Sequence, residues 1–170
     1  MSSESFVQQA AKDGSLTKEQ DFLSLLRNHP FFEGLNSAYL VILADCGEFI
    51  HYKSGENIFR QGDPSSKFYA ILRGKAILQM PTVGRGQMSI EGLGDGTILG
   101  WSWLLPPYKK QFDAYALEDT DCIAIDGACI REKCEADPTF GYELLKRFAA
   151  VMGERLQATR RKLLDSQGER

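Results

Sequence analysis

Residues 48–80 read EFIHYKSGENIFRQGDPSSKFYAILRGKAILQM, and their punctuation decides the fold. Short β-rich runs are interrupted by Ser54-Gly55, Gly62-Asp63-Pro64 and Arg73-Gly74. Turn signals every 8–12 residues or so are the mark of a sandwich or jelly-roll barrel. The pattern continues downstream. VGRGQMSIEGLGDGTILG (83–100) adds a loop, a strand and a turn, and QFDAYALEDTDCIAID (111–126) supplies two more strands. Glycines recur from Gly47 to Gly100, as expected where strands turn corners.

Outward from this region the spacing becomes helical. Phe22, Leu25 and Leu26 fall at helical intervals over 18–27, and NHPFFEGL (28–35) breaks the pattern. Asn36 or Ser37 can cap a second helix running to Asp45, with Tyr39, Leu40, Ile42 and Leu43 on its faces. Beyond Gly127, GACIREKCEADP predicts a short helix stopped before Pro138, and 139–165 a long one. Along the long helix Leu145, Phe148, Met152, Leu156, Thr159 and Leu163 recur at steps of 3, 4, 4, 3 and 4. That heptad-like stripe suits a partner helix, so a homodimer is expected through Leu145, Phe148, Met152, Leu156 and Thr159. The expected division is a flexible arm (1–18), helices plus β-roll (19–136), a dimerisation helix (137–165) and a tail (166–170).

Composition excludes several classes. At 170 residues, 43% hydrophobic and 25% charged, the chain is one soluble domain with a core, or one domain and an arm. A net charge of −3 argues against coating nucleic acid. No apolar run reaches the roughly 18 residues of a membrane span, and MSSESFVQQAAKDGS (1–15) is no secretory signal, so a cytoplasmic address is expected. Cys46, Cys122, Cys129 and Cys134 form no C-x-x-C pair and are expected as separate thiols, with no metal site. Catalytic motifs are missing: there is no G-x-S-x-G and no P-loop, and GRGQMSIEG (84–92) reads as a hairpin loop. His51, on a predicted strand, reads as a surface or core histidine. No enzyme is expected. Arg160, Arg161 and Lys162 complement a helix C-terminus.

The order of helices, roll, short helix and long helix resembles the cyclic-nucleotide-binding domain, particularly the effector domain of Crp/Fnr-class bacterial regulators. The resemblance covers about residues 20–165. It rests on IFRQGDPSSKFYAILRGKAIL (58–78) with Gly62, Asp63 and Gly74, on the Leu99-Gly100 turn, and on RLQATR (155–160). It implies a mainly β chain with flanking helices (α+β), a double-stranded β-helix or jelly-roll of about eight strands. In that family a Gly-Glu pair opens a short helix whose amides hold a cyclic phosphate. The Glu takes the ribose hydroxyl and an Arg on the returning strand neutralises the phosphate. Placed on this pattern, Leu99, Gly100, Trp101, Ser102 and Trp103 form the turn, with Trp101 where the glutamate stands. Lys110 falls on the arginine, Gln111 on its small polar neighbour and Phe112 on an alanine, while Thr159 is placed to offer the purine a hydroxyl.

The resemblance implies a cyclic nucleotide or another small anionic effector as the ligand. Three readings stand open: a cyclic nucleotide held by a modified scheme; a different anionic or aromatic effector facing Trp101, Trp103, Tyr108 and Phe112; or no ligand, the aromatics filling a dimeric scaffold. The functional expectation is a stand-alone sensor signalling through its C-terminal helix to a partner the sequence does not name. Because the chain ends at Arg170, direct DNA binding is not expected, and residues 1–18 hold no cysteine for an Fnr-like cluster.

Overall fold

The computed structural model describes residues 18–84 and 86–168; the arm expected over 1–18 lies almost wholly outside them. Helix α1 (Lys18–Asn28) is followed by a 3-10 turn (Pro30–Phe32) and α2 (Ser37–Asp45). Asn36 caps α2, its Oδ1 accepting from the Ala38 amide at 2.9 Å. The 3-10 turn is closed by His29, whose Nδ1 accepts from the Phe31 amide while Nε2 faces the Ile71 carbonyl at 3.2 Å. Burial pulls the His29 pKa below its ordinary value, so it serves as a neutral core residue donating through Nε2.

Eight strands follow: β1 (Gly47–Tyr52), β2 (Asn57–Phe59), β3 (Lys67–Arg73), β4 (Ala76–Thr82), β5 (Gly86–Leu93), β6 (Ile98–Leu99), β7 (Asp113–Ala116) and β8 (Thr120–Asp126). They form two antiparallel four-stranded sheets, β1-β8-β3-β6 and β2-β7-β4-β5. This is the jelly-roll expected from the turn spacing. Gly74 shows why glycine sits at its corner: at φ 107°, a Cβ there would lie 2.5 Å from the Asp119 carbonyl oxygen. The inner faces bury Ile58, Tyr69, Ile71, Leu78, Leu93 and Leu99 around the small residues Ala76, Ala114, Cys122 and Ala124. On the outside of the roll His51 Nδ1 meets Asp121 Oδ1 at 2.7 Å, and Arg73 meets Asp121 Oδ2 at 2.9 Å.

Helices α3 (Gly127–Ala136) and α4 (Pro138–Gly168) complete the chain, which divides into two compact units at Glu132/Lys133. Asp137 begins α4, its Oδ1 accepting from the Thr139 and Phe140 amides, and Pro138 occupies the first-turn position that needs no donor.

One expectation is corrected here. Cys46 and Cys129 form a disulfide with a Cα–Cα distance of 5.8 Å, leaving only Cys122 and Cys134 as thiols. The pairing spans 83 residues, and only the β1/β8 register brings the two together: Cys46 precedes β1, Cys129 follows β8, and the Asp126 amide donates to the Cys46 carbonyl at 2.8 Å. The apolar stripe of α4 divides. Phe148 is fully buried within the chain, as are Phe140 and Leu144, whereas Leu145, Leu156 and Leu163 are exposed and Met152 is half-buried. Thr159 is exposed, its hydroxyl donating to the Arg155 carbonyl at 2.9 Å.

Candidate effector site

The site is built where β6 ends. Gly100 takes a left-handed conformation (φ 85°) and leads into the 3-10 turn Trp101–Trp103. A side chain at Gly100 would put its Cβ 2.8 Å from Lys110 Nζ and 3.4 Å from the Lys67 carbonyl oxygen, so the missing Cβ is what admits the lysine. Lys110 is directed inward by paired backbone. Its amide donates to the Asp63 carbonyl, its carbonyl accepts from the Gly62 amide, and the Ser65 amide donates to the Tyr108 carbonyl. The sequence supports this by placing Gly62 at φ 86°.

Only 3% of Lys110 is exposed. Its ammonium donates to the Lys67 carbonyl at 2.6 Å and lies 4.4 Å from the centre of the Phe59 ring and 5.6 Å from that of Tyr69. Among the described residues it makes no salt bridge. Desolvation pulls its pKa down to about 8, against the weaker opposing charge of Asp63. The Ser65 hydroxyl, on the segment that bridges to Lys109, is buried and has no hydrogen-bond partner among the described residues.

Deeper in the roll, Tyr52 and Tyr69 meet edge to face at 6.3 Å and share a hydrogen bond between their hydroxyls. Burial raises both phenol pKa values, and it pushes the nearby Cys122 thiol up to about 12. Lys67 and Glu48 form an ion pair whose hydrogen bond raises the Lys67 pKa. These groups share a face because Glu48 and Tyr69 both sit opposite Ala124 in the register. Sequence reasoning missed this polar set. The signal was the period-2 alternation of Glu48, Ile50, Tyr52 on one strand and Lys67, Tyr69, Ile71 on another.

The expected site residues do not all converge. Trp103 is 1% exposed and stacks on Phe68 at 5.2 Å. Gln111 turns back locally, its side-chain amide donating to the Lys109 carbonyl at 3.1 Å, and Leu99 is core. Phe112 packs partly buried against that same core. Tyr108 lies under the Arg131 guanidinium at 4.4 Å, and Arg131 donates to the Trp103 carbonyl at 2.7 Å. Trp101 is half-buried and Ser102 buried beside Gly100. Thr159 belongs to the second unit. Among the described residues no His/Cys/Asp/Glu group is arranged for a metal, and no helix is long and apolar enough to cross a membrane.

The sequence profile of the cyclic nucleotide-binding domain matches residues 49–137, more than half the chain and all but the start of the roll. The chain belongs to the cyclic nucleotide-binding domain family. It is 32% identical over 125 residues to a cAMP-dependent protein kinase regulatory subunit from Dictyostelium discoideum, a match spanning 72% of this chain and 38% of that one. The catabolite activator protein of Thermus thermophilus superposes with a TM-score of 0.64 at 25% identity, over 79% of this chain and 61% of that one. A cyclic nucleotide-binding domain from Methylobacillus flagellatus KT shares the fold with a TM-score of 0.73 at 16% identity, over 87% and 83% of the two chains. The chain spans less than half the length of the curated relatives it matches. The domain type is regulatory and non-catalytic, in keeping with the Crp/Fnr-like neighbours.

Proposed function

We propose that this domain binds a small anionic effector inside its roll, with Lys110 as the counter-charge beside Gly100, and signals through α4. One observation carries the reading: the Lys110 ammonium is buried with a carbonyl and two ring faces and, among the described residues, makes no salt bridge, Asp63 acting on it only as a weaker charge at a distance. An uncompensated buried charge costs several kcal/mol, and a cation–π contact returns about 2 kcal/mol at best. An anion seated against Lys110 offsets the remainder. With a pKa of about 8 the amine is mostly charged at neutral pH, as that role requires.

Family membership favours a nucleotide-like effector, but Trp101 changes how it is read. An indole donates one N–H and accepts nothing, so it cannot take a ribose hydroxyl as a carboxylate does. Lys110 offers a point charge in place of a guanidinium fork. Recognition of the rest of the effector falls to the Tyr52–Tyr69 hydroxyls and the Glu48–Lys67 pair. Loss of the carboxylate contact and the bidentate arginine removes a few kcal/mol, which is about a hundredfold or more in affinity. Titration calorimetry with cyclic AMP and cyclic GMP should therefore give weak binding to wild type and markedly tighter binding to the Trp101→Glu/Lys110→Arg double variant. Tight wild-type binding that survives Lys110→Ala would place the site elsewhere.

The scaffold reading is favoured by one feature, the Lys110 bond to the Lys67 carbonyl, which gives the ammonium a partner within the chain. Under that reading no small anion stabilises the protein.

A further inference from the structure

We propose that the Cys46–Cys129 disulfide is a redox-operated clasp that sets the order of the turn Trp101–Trp103. Cys46 caps the C-terminus of α2, and Cys129 lies in the first turn of α3. The bond therefore ties the start of α3 to the α2–β1 junction. The same first turn and a half of α3 is what holds the Trp101–Trp103 turn. Arg131, two residues after Cys129, donates to the Trp103 carbonyl at 2.7 Å and covers the Tyr108 ring. Gly127, two residues before it, packs so closely that a Cβ there would lie 2.8 Å from that of Trp103, while its amide donates to the Ser66 carbonyl. Two contacts from one short segment, the Arg131 hydrogen bond and the Gly127 packing, thus hold Trp103, and the disulfide anchors that segment. Cys129 is half-buried, so a small thiol has a side from which to approach.

The chemistry needs only a low-molecular-weight thiol as reductant. Its thiolate attacks one sulfur, the S–S bond breaks, and the leaving cysteine takes a proton. A second thiol then resolves the mixed disulfide. Cys46 and Cys129 end as thiols, and the two small thiols end as one disulfide. Release of the clasp removes the anchor of α3, and Arg131 and Gly127 then hold the turn less firmly. Because Gly100 and Lys110 adjoin this turn, the clasp regulates the proposed effector seat; that last step rests on the proposed function, whereas the coupling to the turn does not.

Amide hydrogen exchange on the full chain, oxidised and after dithiothreitol, tests the coupling. Alkylation of the unfolded, unreduced protein should tag two of its four cysteines, and all four after reduction. Reduction should speed exchange at residues 101–104 by tenfold or more. Cys46→Ser/Cys129→Ser should exchange fast in both conditions, and Cys134→Ser, at the half-buried free cysteine, should respond as wild type does. Oxidised Arg131→Ala should also exchange fast while keeping its disulfide. Four taggable thiols without reductant would overturn the clasp. Unchanged exchange at 101–104 on reduction, or in Arg131→Ala, would overturn the coupling. Neither outcome bears on Lys110, whose role is tested separately by ligand binding.

Discussion

Lys110 holds a charge against one carbonyl and two rings, and that arrangement fixes the sign of its pH dependence. Its folded pKa lies at about 8, below the ordinary 10.5. Between those values the unfolded chain binds the proton and the folded one does not, so the ligand-free protein gains stability as pH rises from about 8 to about 10.5. The penalty is fully present below pH 8 and amounts to about 3 kcal/mol. Lys110→Met should therefore raise ligand-free stability at pH 7 by up to about 3 kcal/mol in urea unfolding, and the difference should vanish near pH 10.5. A difference that does not change with pH would show that the lysine is not desolvated. At Gly74, φ 107° and a 2.5 Å approach to the Asp119 carbonyl leave no room for a side chain. Gly74→Ala should cost about 3 kcal/mol, more than Gly100→Ala, where the nearest atom is the end of a flexible lysine. Equal unfolding midpoints for the two variants would contradict this ranking. The closeness of Gly100 to Lys110 follows from the turn glycine that the sequence shows after Leu99, whose missing Cβ leaves room for the lysine. The core placement of Trp103 was not legible in the sequence, because a tryptophan after a turn glycine gives no sign of whether Phe68 lies behind it.

Among the elements, the helices and strands were largely legible. Asn36 before an apolar helical run, Pro138 after Asp137, and turns at Gly55, Gly62 and Gly74 each carry a local mechanism, and each marks an element boundary in the structure. The disulfide was illegible for the opposite reason: it depends on register between strands far apart in sequence. Closing a loop of 83 residues removes enough unfolded-state entropy to stabilise the fold by about 4 kcal/mol. Cys46→Ser/Cys129→Ser should lower the urea midpoint accordingly, and dithiothreitol should do the same to wild type but not to the variant. A wild-type midpoint indifferent to reductant would exclude the bond. The stripe on α4 was read correctly as helical, but spacing alone did not reveal that Phe148 is buried while Leu145 and Leu156 are exposed.

At the level of the whole molecule, the exposed leucines of α4 bear on assembly. Of the expected homodimer seam Leu145 and Leu156 are exposed and Met152 is half-buried, and Leu163, next along the same stripe, is exposed as well. Leu156→Glu with Leu163→Glu should convert a dimer to a monomer in light scattering at micromolar concentration without unfolding the roll. A monomeric wild type would remove dimerisation from the account. The central claim is that an anion completes the charge of Lys110, and a thermal-melting titration tests it most directly. Wild type and Lys110→Met are melted at pH 7 against inorganic phosphate, cyclic AMP, cyclic GMP and a panel of small aromatic phosphates and carboxylates. A ligand that binds only the folded state raises the melting temperature as its concentration passes its Kd. The account predicts that at least one anion raises the wild-type melting temperature and that its apparent Kd weakens tenfold or more in Lys110→Met. Equal stabilisation of both proteins, or no stabilisation of wild type by any anion in the panel, would contradict it.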